Sequence, residues 1–325
     1  MEVRIPTFRR PLLLKRALAC LRNQTHEKWI ALVFDDDAEK SEAHDVVHSL
    51  NDPRVRYVRN ERRLGSALNL DRAFRARALA GASYAFVLED DNGILPEFIS
   101  ENVRMLAARG HSILLRNQLI YDQDDQQCWQ PTTRCTKGWY YGSQSELSFL
   151  EVQGSIFFND CIANGGLFWD TRRVRSEFTV GEAVTDSGIQ EFCRTVQIVE
   201  PILFGARPLG IWTRMTNSQS VRSFESNRRF GRAVQHLRIM CIAAHGKSLV
   251  DELWRTAARL SATKMLESAL ADIFFLPVSL RYMTALDLKP IVKGLARRML
   301  VVNPISGYRG MHRQCAYRSS RIRLV

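Results

Sequence analysis

The sequence lacks a long apolar segment. No run approaches the roughly 20 apolar residues that a membrane-spanning helix needs, and the longest candidate, Ile273–Leu280, is short and interrupted by Pro277. Residues Met1–Pro11 are typical of a strand followed by a turn. They contain no apolar stretch of the roughly 7–15 residues that secretory signals carry. We therefore expect a cytoplasmic protein.

Cysteine and histidine are present but show no useful pattern. The seven cysteines are odd in number and irregularly spaced, which predicts free thiols in a reducing compartment. The histidines are scattered. His44 and His48 share one helical face, but no acidic partner is placed to complete a zinc site. These patterns argue against a disulfide scaffold and against a zinc enzyme.

Net positive charge is confined to the C-terminal third. The chain has a net charge of +12, yet the part from Ser226 onward holds 18 basic and 5 acidic residues. The part before Ser226 is therefore close to neutral. No nucleic-acid-binding motif accompanies the basic residues, so we expect no nucleic-acid partner.

Strand and helix patterns alternate along the first 120 residues, which predicts an α/β fold with a doubly wound, mostly parallel sheet flanked by helices. We predict strands at Val3–Pro6, Trp29–Phe34, Val55–Arg59, Tyr84–Leu88 and Ser112–Leu119, and helices at Pro11–Asn23, Ser41–Leu50, Ser66–Ala80 and Pro96–Arg109.

The rest of the chain is less regular until it becomes helical. Tyr121–Phe158 predicts loops and short strands, and a further helix is expected at Asp186–Val196. From Ser226 onward we predict helices with breaks near His245-Gly246, Pro277, Pro290 and Pro304. The expected domains are a catalytic domain at 1–224, with a nucleotide-binding half at 1–120 and an acceptor-side half at 121–224, and a basic helical C-terminal extension at 225–325.

Two predicted strands end in acidic clusters, Asp35-Asp36-Asp37 and Glu89-Asp90-Asp91-Asn92. In parallel sheets, ligands bind beyond the carboxyl ends of the strands. Carboxylates there suit Mg²⁺ or Mn²⁺, and such an ion can neutralise a diphosphate leaving group. Each cluster is also compatible with an acidic turn that caps the following helix. Two such ends on one sheet favour the ligand site.

Several segments resemble family-two glycosyltransferases, the inverting family with the GT-A fold. The resemblance is carried, in order, by Ile5–Pro11, Gln24-Thr25, Trp29 to Asp35-Asp36, Asp52–Tyr57, then Asn60, Gly65 and Asn69, and finally Glu89–Asn92. It is dense from Ile5 to Phe98. Two positions depart from the family pattern: Phe8-Arg9 replaces the usual Tyr-Asn, and Glu89 replaces a common first Asp.

The resemblance implies roles for six residues of a donor site. Thr7 and Asp36 are expected to contact the base, Arg9 and Asn69 to lie near the nucleotide, Asp90 to reach the ribose or the waters of the metal, and Asp91 to hold Mn²⁺ or Mg²⁺. The implied donor is a nucleoside-diphosphate sugar, with UDP the commonest nucleotide in the family.

An inverting displacement also needs a general base. The family places an acidic residue just before a helix that carries aromatics and an arginine. Asp186, followed by Phe192 and Arg194, matches this best, with Glu182 and Glu191 as rivals. Asp186 is equally placed to be an N-cap. The turn at Asn164-Gly165-Gly166 matches the acceptor-side loop, and Thr216–Ser220 resembles a segment that closes over the diphosphate.

The C-terminal segment from Lys289 holds nine basic and no acidic residues. Its amphipathic pattern is typical of a helix on an anionic membrane surface, or of a helix packed on the catalytic domain. The family resemblance implies sugar transfer with inversion to the hydroxyl of a glycan or lipid-linked acceptor, in surface polysaccharide or glycolipid synthesis. The alternatives are a non-catalytic GT-A-like binding protein and a nucleotidyltransferase, although Thr7–Pro11 lacks the Gly-rich loop of the latter.

Overall fold

The computed structural model describes residues 1–39, 41–124, 126–142, 144–216 and 223–259. The strands are β1 (Glu2–Thr7), β2 (Ile30–Asp35), β3 (Val55–Arg59), β4 (Tyr84–Val87), β5 (Gly93–Ile94), β6 (Ile113–Gln123), β7 (Trp129–Cys135), β8 (Glu146–Leu147), β9 (Leu167–Asp170) and β10 (Ile202–Met215). The helices are α1 (Pro11–Arg22), α2 (Glu42–Leu50), α3 (Ser66–Ala73), α4 (Phe98–Arg109), α5 (Gly138–Tyr141), α6 (Phe149–Gly154), α7 (Ser187–Gln197) and α8 (Phe224–Arg259).

The chain divides into two compact units. The first comprises Met1–Ser148, Ile162–Ser187 and Val199–Ser220. The second comprises Phe149–Cys161, Gly188–Ile198 and the chain from Val221, of which residues 223–259 are described. All ten strands belong to the first unit.

One sheet organises the first unit. Its strands follow the order β3-β2-β1-β4-β9-β6-β10-β5, with β7 added to β6 and β8 to β10. The pairs β3–β2, β2–β1, β1–β4 and β6–β10 are parallel, whereas β9 runs antiparallel between β4 and β6. The predicted doubly wound, mostly parallel core is therefore confirmed. The carboxyl ends of β1, β2 and β4 meet at one edge.

Apolar side chains cover this sheet on the side of α1, as the sequence pattern predicts. Leu14, Leu18 and Leu21 of α1 are buried against Val3 and Val33. Full burial of side chains of this kind stabilises the fold by roughly 1.5–3 kcal/mol each. Pro11 occupies the first turn of α1, where its missing N–H costs no hydrogen bond.

The prediction that α3 continues to Ala80 is wrong, because the helix ends at Ala73. The buried guanidinium of Arg4 on β1 accounts for this end. It donates hydrogen bonds to the carbonyls of Ala73 and Arg77, at 2.9 and 2.8 Å, and to that of Arg75. Glu2 accepts from the N–H groups of Leu79 and Ala80. These bonds hold the segment in a non-helical path.

Residues 202–215 form the longest strand of the sheet, β10, which the sequence patterns do not predict. β10 lies parallel to β6, with a register shift between Gly205 and Gly210. β6 itself continues to Gln123, beyond the predicted end, and returns as β7. Together β6 and β10 place a second pair of parallel strands beside the acidic segment that follows β4.

In the second unit, α8 has a break at Gly246, where φ is 51° and ψ is −128°. The predicted break near His245-Gly246 is confirmed. The predicted breaks at Pro277, Pro290 and Pro304, and the segment 289–325, lie outside the described residues. Within the described residues, no helix has the length and apolar character needed to cross a membrane. None of the six cysteines within the described residues forms a disulfide bond.

Candidate active site

The acidic segment after β4 lies beside the end of β1. The hydroxyl of Thr7 donates a 2.7 Å hydrogen bond to Oδ2 of Asp90, which is buried. Nη1 of Arg10 contacts both carboxylates, at 3.3 Å from Oδ1 of Asp90 and 3.1 Å from Oδ2 of Asp91. The Asp91 side chain is more open, with 35% of its surface exposed. The structure thus brings together Thr7, Asp90 and Asp91, three of the residues to which the resemblance assigns donor-site roles.

The two carboxylates differ in electrostatic environment. Burial, reinforced by the charge of Asp91, raises the pKa of Asp90 to about 6, although Arg10 and Thr7 oppose the shift. When a buried carboxylate lies near a second one, the state in which both are ionised is unfavourable unless a cation lies close to both. Arg10 supplies that cation here. The space between Asp90 and Asp91, where its guanidinium lies, is therefore a favourable position for a positive charge.

The carboxylate oxygens at this position are of the kind that a divalent ion such as Mg²⁺ prefers as ligands. The described residues contain no group of three or more His, Cys, Asp or Glu side chains that could hold a metal. Mg²⁺, however, commonly binds through one or two carboxylates and completes its shell with waters and substrate phosphates. Asp91, with Asp90 beside it, matches that open arrangement rather than a site built from protein ligands only.

Asp36 organises the loop that leads into α3. Its carboxylate accepts hydrogen bonds from the backbone N–H groups of Leu64 and Gly65, at 2.7 and 2.8 Å. Nδ2 of Asn60 also donates to it, at 2.8 Å. A carboxylate offers about four acceptor positions, so at least one remains for a ligand such as a base N–H. Gly65, with φ of 84°, takes the backbone conformation that this loop requires.

Asn69 fixes α3 to the ends of β1 and β2. Its side chain donates to the carbonyl of Phe34 at 3.0 Å and to that of Thr7 at 3.4 Å. It accepts from Asn60 at 3.0 Å. Asn69 is therefore placed at the predicted site, where its visible contacts position the backbone of Thr7.

An aromatic ring and two cations border the same edge. The guanidinium groups of Arg9 and Arg63 lie 5.1 and 4.5 Å from the ring centre of Phe8. Arg9 also pairs with Asp37 at 2.7 Å, and about half of its side chain is exposed. Phe8 and Arg63 are sequence neighbours of Thr7 and Leu64, whose backbone groups form hydrogen bonds with Asp36, so the two arginines add positive charge beside Asp36.

The glycine turn Asn164–Gly166 lies next to the acidic segment. A Cβ placed on Gly165 would be 3.8 Å from Nδ2 of Asn92, and one on Gly166 would be only 2.4 Å from the carbonyl oxygen of Arg116. Asn92 is in turn held by Thr213, whose N–H donates to its Oδ1 at 2.9 Å. The predicted acceptor-side turn is thus adjacent to Asn92, which directly follows Asp90 and Asp91.

Asp186 is half-buried and directly precedes α7. The chain that leads to it is anchored by Asp71 of α3, which accepts from the N–H groups of Val180 and Gly181 at 2.7 and 3.0 Å. Of the rival bases, Glu182 is exposed in a turn and Glu191 is on α7. The position of Asp186 before a helix agrees with the sequence pattern.

Three residues near the site escaped the sequence patterns. Arg10 joins the two carboxylates, Arg16 donates to the carbonyl of Asp91 at 3.1 Å, and Asp71 anchors the chain before Asp186. Only Arg10 carried a signal, because it lies within the run Ile5–Pro11. Arg16 and Asp71 look like ordinary polar helix residues in the sequence.

The fold and this arrangement define an α/β protein with a polar, acidic site at the carboxyl ends of β1, β2 and β4. The sequence model of "Glycosyl transferase family 2" matches residues 2–168, half of the chain. The chain belongs to glycosyl transferase family 2. No curated protein sequence matches it.

Solved structures of the S. aureus protein TarS share this fold. The crystal structure of TarS has a TM-score of 0.54 at 12% identity, covering 98% of this chain and 54% of that one. The crystal structure of TarS 1-349 in complex with UDP-GlcNAc has a TM-score of 0.51 at 12% identity, covering 98% and 91%. This chain spans about half the length of the longer TarS chain. The likeness establishes a GT-A-like fold.

Proposed function

We propose that the chain transfers a sugar from a nucleoside-diphosphate sugar, most simply a UDP-sugar, to an acceptor hydroxyl with inversion at the anomeric carbon. Family membership supports glycosyl transfer, and the fold is shared with a TarS fragment whose structure holds UDP-GlcNAc. The observation that carries the proposal is the cation-bridged pair of Asp90 and Asp91 beside Thr7.

The donor nucleotide would occupy the edge formed by β1, β2 and α3. Asp36 has an acceptor position left for a base N–H, and the N-terminus of α3 after Gly65 favours a phosphate or ribose oxygen. Thr7 and Asn69 keep this edge in register with the acidic pair. Arg9 would add attraction for the phosphates.

Asp91, with Asp90 behind it, would hold Mn²⁺ or Mg²⁺, which when bound neutralises charge on the diphosphate leaving group. Asp186 would take the proton from the acceptor hydroxyl as its oxygen attacks the anomeric carbon and the bond to the diphosphate breaks. Arg10, which lies between the two carboxylates, would contact a diphosphate oxygen once the metal takes its place.

We further propose a glycan or lipid-linked acceptor and a role in surface polysaccharide or glycolipid synthesis at the cytoplasmic side of a membrane. The support is the basic segment 289–325 of the sequence. The intact chain is expected to bind vesicles that contain phosphatidylglycerol and to ignore vesicles of phosphatidylcholine. Equal binding to both would remove the membrane proposal without touching the transferase proposal.

The test of the donor site is a thermal-shift comparison of UDP, GDP, dTDP and CDP, each with Mn²⁺ and with EDTA. We expect one nucleotide to raise the melting temperature only with Mn²⁺. Asp91→Ala should lose this effect, and Asp45→Ala, at an exposed position on α2, should retain it. No shift with any nucleotide would contradict the proposed donor site and favour a non-catalytic relative.

The test of transfer uses the nucleotide so identified. The wild type should release it slowly from its sugar conjugate by transfer to water, whereas Asp186→Asn should bind the conjugate as tightly and release none. If Asp186→Asn kept its rate and Glu191→Gln lost it, the base would be Glu191.

A further inference from the structure

One face of the β6–β10 pair carries a set of residues that the donor site does not use. Gln118, Ile120 and Asp122 of β6 pair in register with Gly210, Trp212 and Arg214 of β10. Side chains alternate between the faces of a strand, so these six residues share one face. We call them the Gln118 column. Its ends confirm the alignment, because Arg214 pairs with Asp122 at 2.7 Å and Cγ of Gln118 lies against Gly210.

Gln118 has a buried amide whose oxygen lacks the hydrogen bond that such a group needs. Only 1% of the residue is exposed, and its Oε1 has no hydrogen-bond partner among the described residues. Leaving a buried acceptor unpaired is unfavourable, and native proteins seldom retain one without a reason. The unpaired amide oxygen therefore suggests a hydrogen-bond partner that does not belong to this chain, such as a ligand.

Two glycines let the side chain of Gln118 pack in this position. A Cβ on Gly165 would lie 2.9 Å from Nε2 of Gln118, and one on Gly210 would lie 2.8 Å from its Cγ and 3.3 Å from Nε2. A larger residue at either position would therefore displace the amide. The same point beside Gly165 is 3.8 Å from Nδ2 of Asn92, which follows the acidic pair directly.

Two steps along the column, Trp212 presents an indole ring with 37% of the residue exposed, beside half-buried Ile120. The ion pair of Asp122 and Arg214 follows. An apolar ring face flanked by hydrogen-bonding groups suits a pyranose, which has C–H groups on its faces and hydroxyls on its rim. A primary amide both donates and accepts, so it can bind a pair of hydroxyls.

The order of the strands places this column on the acceptor side. The residues proposed to bind the nucleotide lie on β1, β2 and α3, and the acidic pair follows β4. β6 and β10 lie beyond β9 on the other side of β4 from the nucleotide residues. Thr213 connects the two regions, because its hydroxyl donates to the carbonyl of Asp91 at 2.5 Å.

We propose that Gln118 and Trp212 form a subsite for a pyranose ring of the acceptor, in which the ring packs on the indole and its hydroxyls bind the amide. This inference rests on the proposed function, because it takes the opposite end of the site to hold the donor. Gly165 and Gly210 allow the amide to take this position, and substituting either should displace the amide and weaken the subsite.

The subsite can be tested in the full chain labelled with 5-fluorotryptophan. The chain has six tryptophans, and Trp212→Phe identifies the fluorine resonance of Trp212. We expect saturable movement of this resonance on titration with the methyl glycoside of glucose, galactose, mannose or N-acetylglucosamine. The resonance of Trp29, which is buried in the apolar core with Val3 and Leu21, should not move. If no glycoside moves the Trp212 resonance, the proposal is wrong.

Gln118→Leu separates a binding role from a structural one. Leucine has nearly the same volume and removes the unpaired acceptor, so the melting temperature without sugar should rise or stay unchanged. The sugar response of Trp212 should weaken at least tenfold. A fall in melting temperature with an unchanged sugar response would show that the amide only supports the fold, and would overturn its assignment. Gln118→Asn, which keeps the amide but shortens it, should respond weakly and melt lower.

Adding nucleotides to the titration shows whether the bound sugar is that of the acceptor or that of the donor. It also shows which of the two proposals has failed. With Mn²⁺ and UDP-GlcNAc present, the glycoside should still move the Trp212 resonance, as an acceptor would. Displacement of the glycoside by UDP-GlcNAc but not by UDP would instead place the donor's sugar there and overturn the acceptor assignment. A nucleotide thermal shift without a sugar response refutes the subsite alone, whereas a sugar response without any nucleotide shift refutes the proposed function.

Discussion

Asp71 holds Val180 in place across 109 residues of sequence. Its Oδ1 accepts the N–H of Val180 at 2.7 Å, and its Oδ2 accepts that of Gly181 at 3.0 Å. Asp71 is on α3, the helix that also carries Asn69, and the chain beyond Gly181 leads to Asp186. One helix therefore fixes both the edge proposed for the nucleotide and the approach to the proposed base.

Asp71→Ala should lower turnover far more than it lowers donor affinity. Hydrogen bonds to a charged group stabilise by about 1.5–3 kcal/mol each, and displacement of a reacting group by about 1 Å costs as much as 10²-fold in rate. We expect kcat to fall by roughly 10–10²-fold with KM for the donor unchanged. Asp71→Asn, which keeps one acceptor, should recover part of the rate.

Steady-state kinetics of the wild type and both Asp71 variants provide the measurement. Asp45→Ala, at an exposed position with no comparable backbone contact among the described residues, is the control and should behave as wild type. An equal loss in kcat and in donor affinity would mean that Asp71 supports the whole nucleotide edge rather than the segment before Asp186.

Arg10 competes with a metal for the space between Asp90 and Asp91. It contacts both carboxylates, but about half of its side chain is exposed, so the pairs are worth only about 0.2–1 kcal/mol. Arg10→Ala should therefore raise the affinity for free Mn²⁺ by up to about fivefold in the absence of nucleotide. Electron paramagnetic resonance of unbound Mn²⁺ measures this directly.

Arg9→Ala is the matched control, because Arg9 pairs with Asp37 and Glu39 instead. It should leave Mn²⁺ binding unchanged and weaken nucleotide binding modestly. A lower Mn²⁺ affinity in Arg10→Ala would show that the guanidinium organises the carboxylates and does not occupy the position of the ion.

Gly166→Ala should disrupt the turn beside the acidic segment. A Cβ there would lie 2.4 Å from the carbonyl oxygen of Arg116, which belongs to the fixed backbone of β6. Overpacking of this kind costs about 1–3 kcal/mol. We expect a lower free energy of unfolding in urea and reduced transfer activity.

Gly138→Ala is the corresponding control, since its Cβ would meet Nδ2 of Asn117 at an ordinary distance of 3.6 Å. It should change stability by at most about 1 kcal/mol. If Gly166→Ala were as stable and active as Gly138→Ala, the turn would have to shift freely, which its contact with Arg116 argues against.

The regular elements were readable from the sequence because their signals are local. β3 begins and ends at Val55 and Arg59 as predicted, and Ser41 caps α2 by accepting the N–H of His44. Thr7, Asp90 and Asp91 lie together because β1 and β4 are parallel and end at one edge of the sheet, which the alternation of strands and helices predicts. Local periodicity and one topological rule were sufficient for these features.

The features that escaped prediction depend on contacts between distant residues. α3 stops at Ala73 because Arg4, 69 positions earlier, donates hydrogen bonds to the carbonyls of this segment. A continuing helix would need those carbonyls for its own hydrogen bonds. β10 is stabilised by pairing with β6, while its own sequence contains Gly205, Pro208 and Gly210, which do not signal a strand. The unpaired amide of Gln118 is visible only once its neighbours are known.

The pair of Glu2 and Arg4 should contribute most to stability among the ion pairs described here. Both side chains are fully buried and joined at 2.6 Å, and together they bind the last carbonyl of α3 and four backbone groups after it. Arg4→Met would leave the carboxylate of Glu2 buried without its cation. Removing one partner of a buried pair costs about 3–5 kcal/mol, so the urea midpoint should fall markedly.

Two further variants separate the charge from the packing. Arg104→Met breaks the exposed pair with Glu101, also 2.6 Å long, and should cost no more than about 1 kcal/mol. Glu2→Gln combined with Arg4→Met removes both charges, and it should be more stable than Arg4→Met alone because no uncompensated carboxylate remains. If the double variant were the less stable of the two, the backbone contacts after α3 would outweigh the buried charge, and the path of residues 74–80 would be the main contribution of the pair.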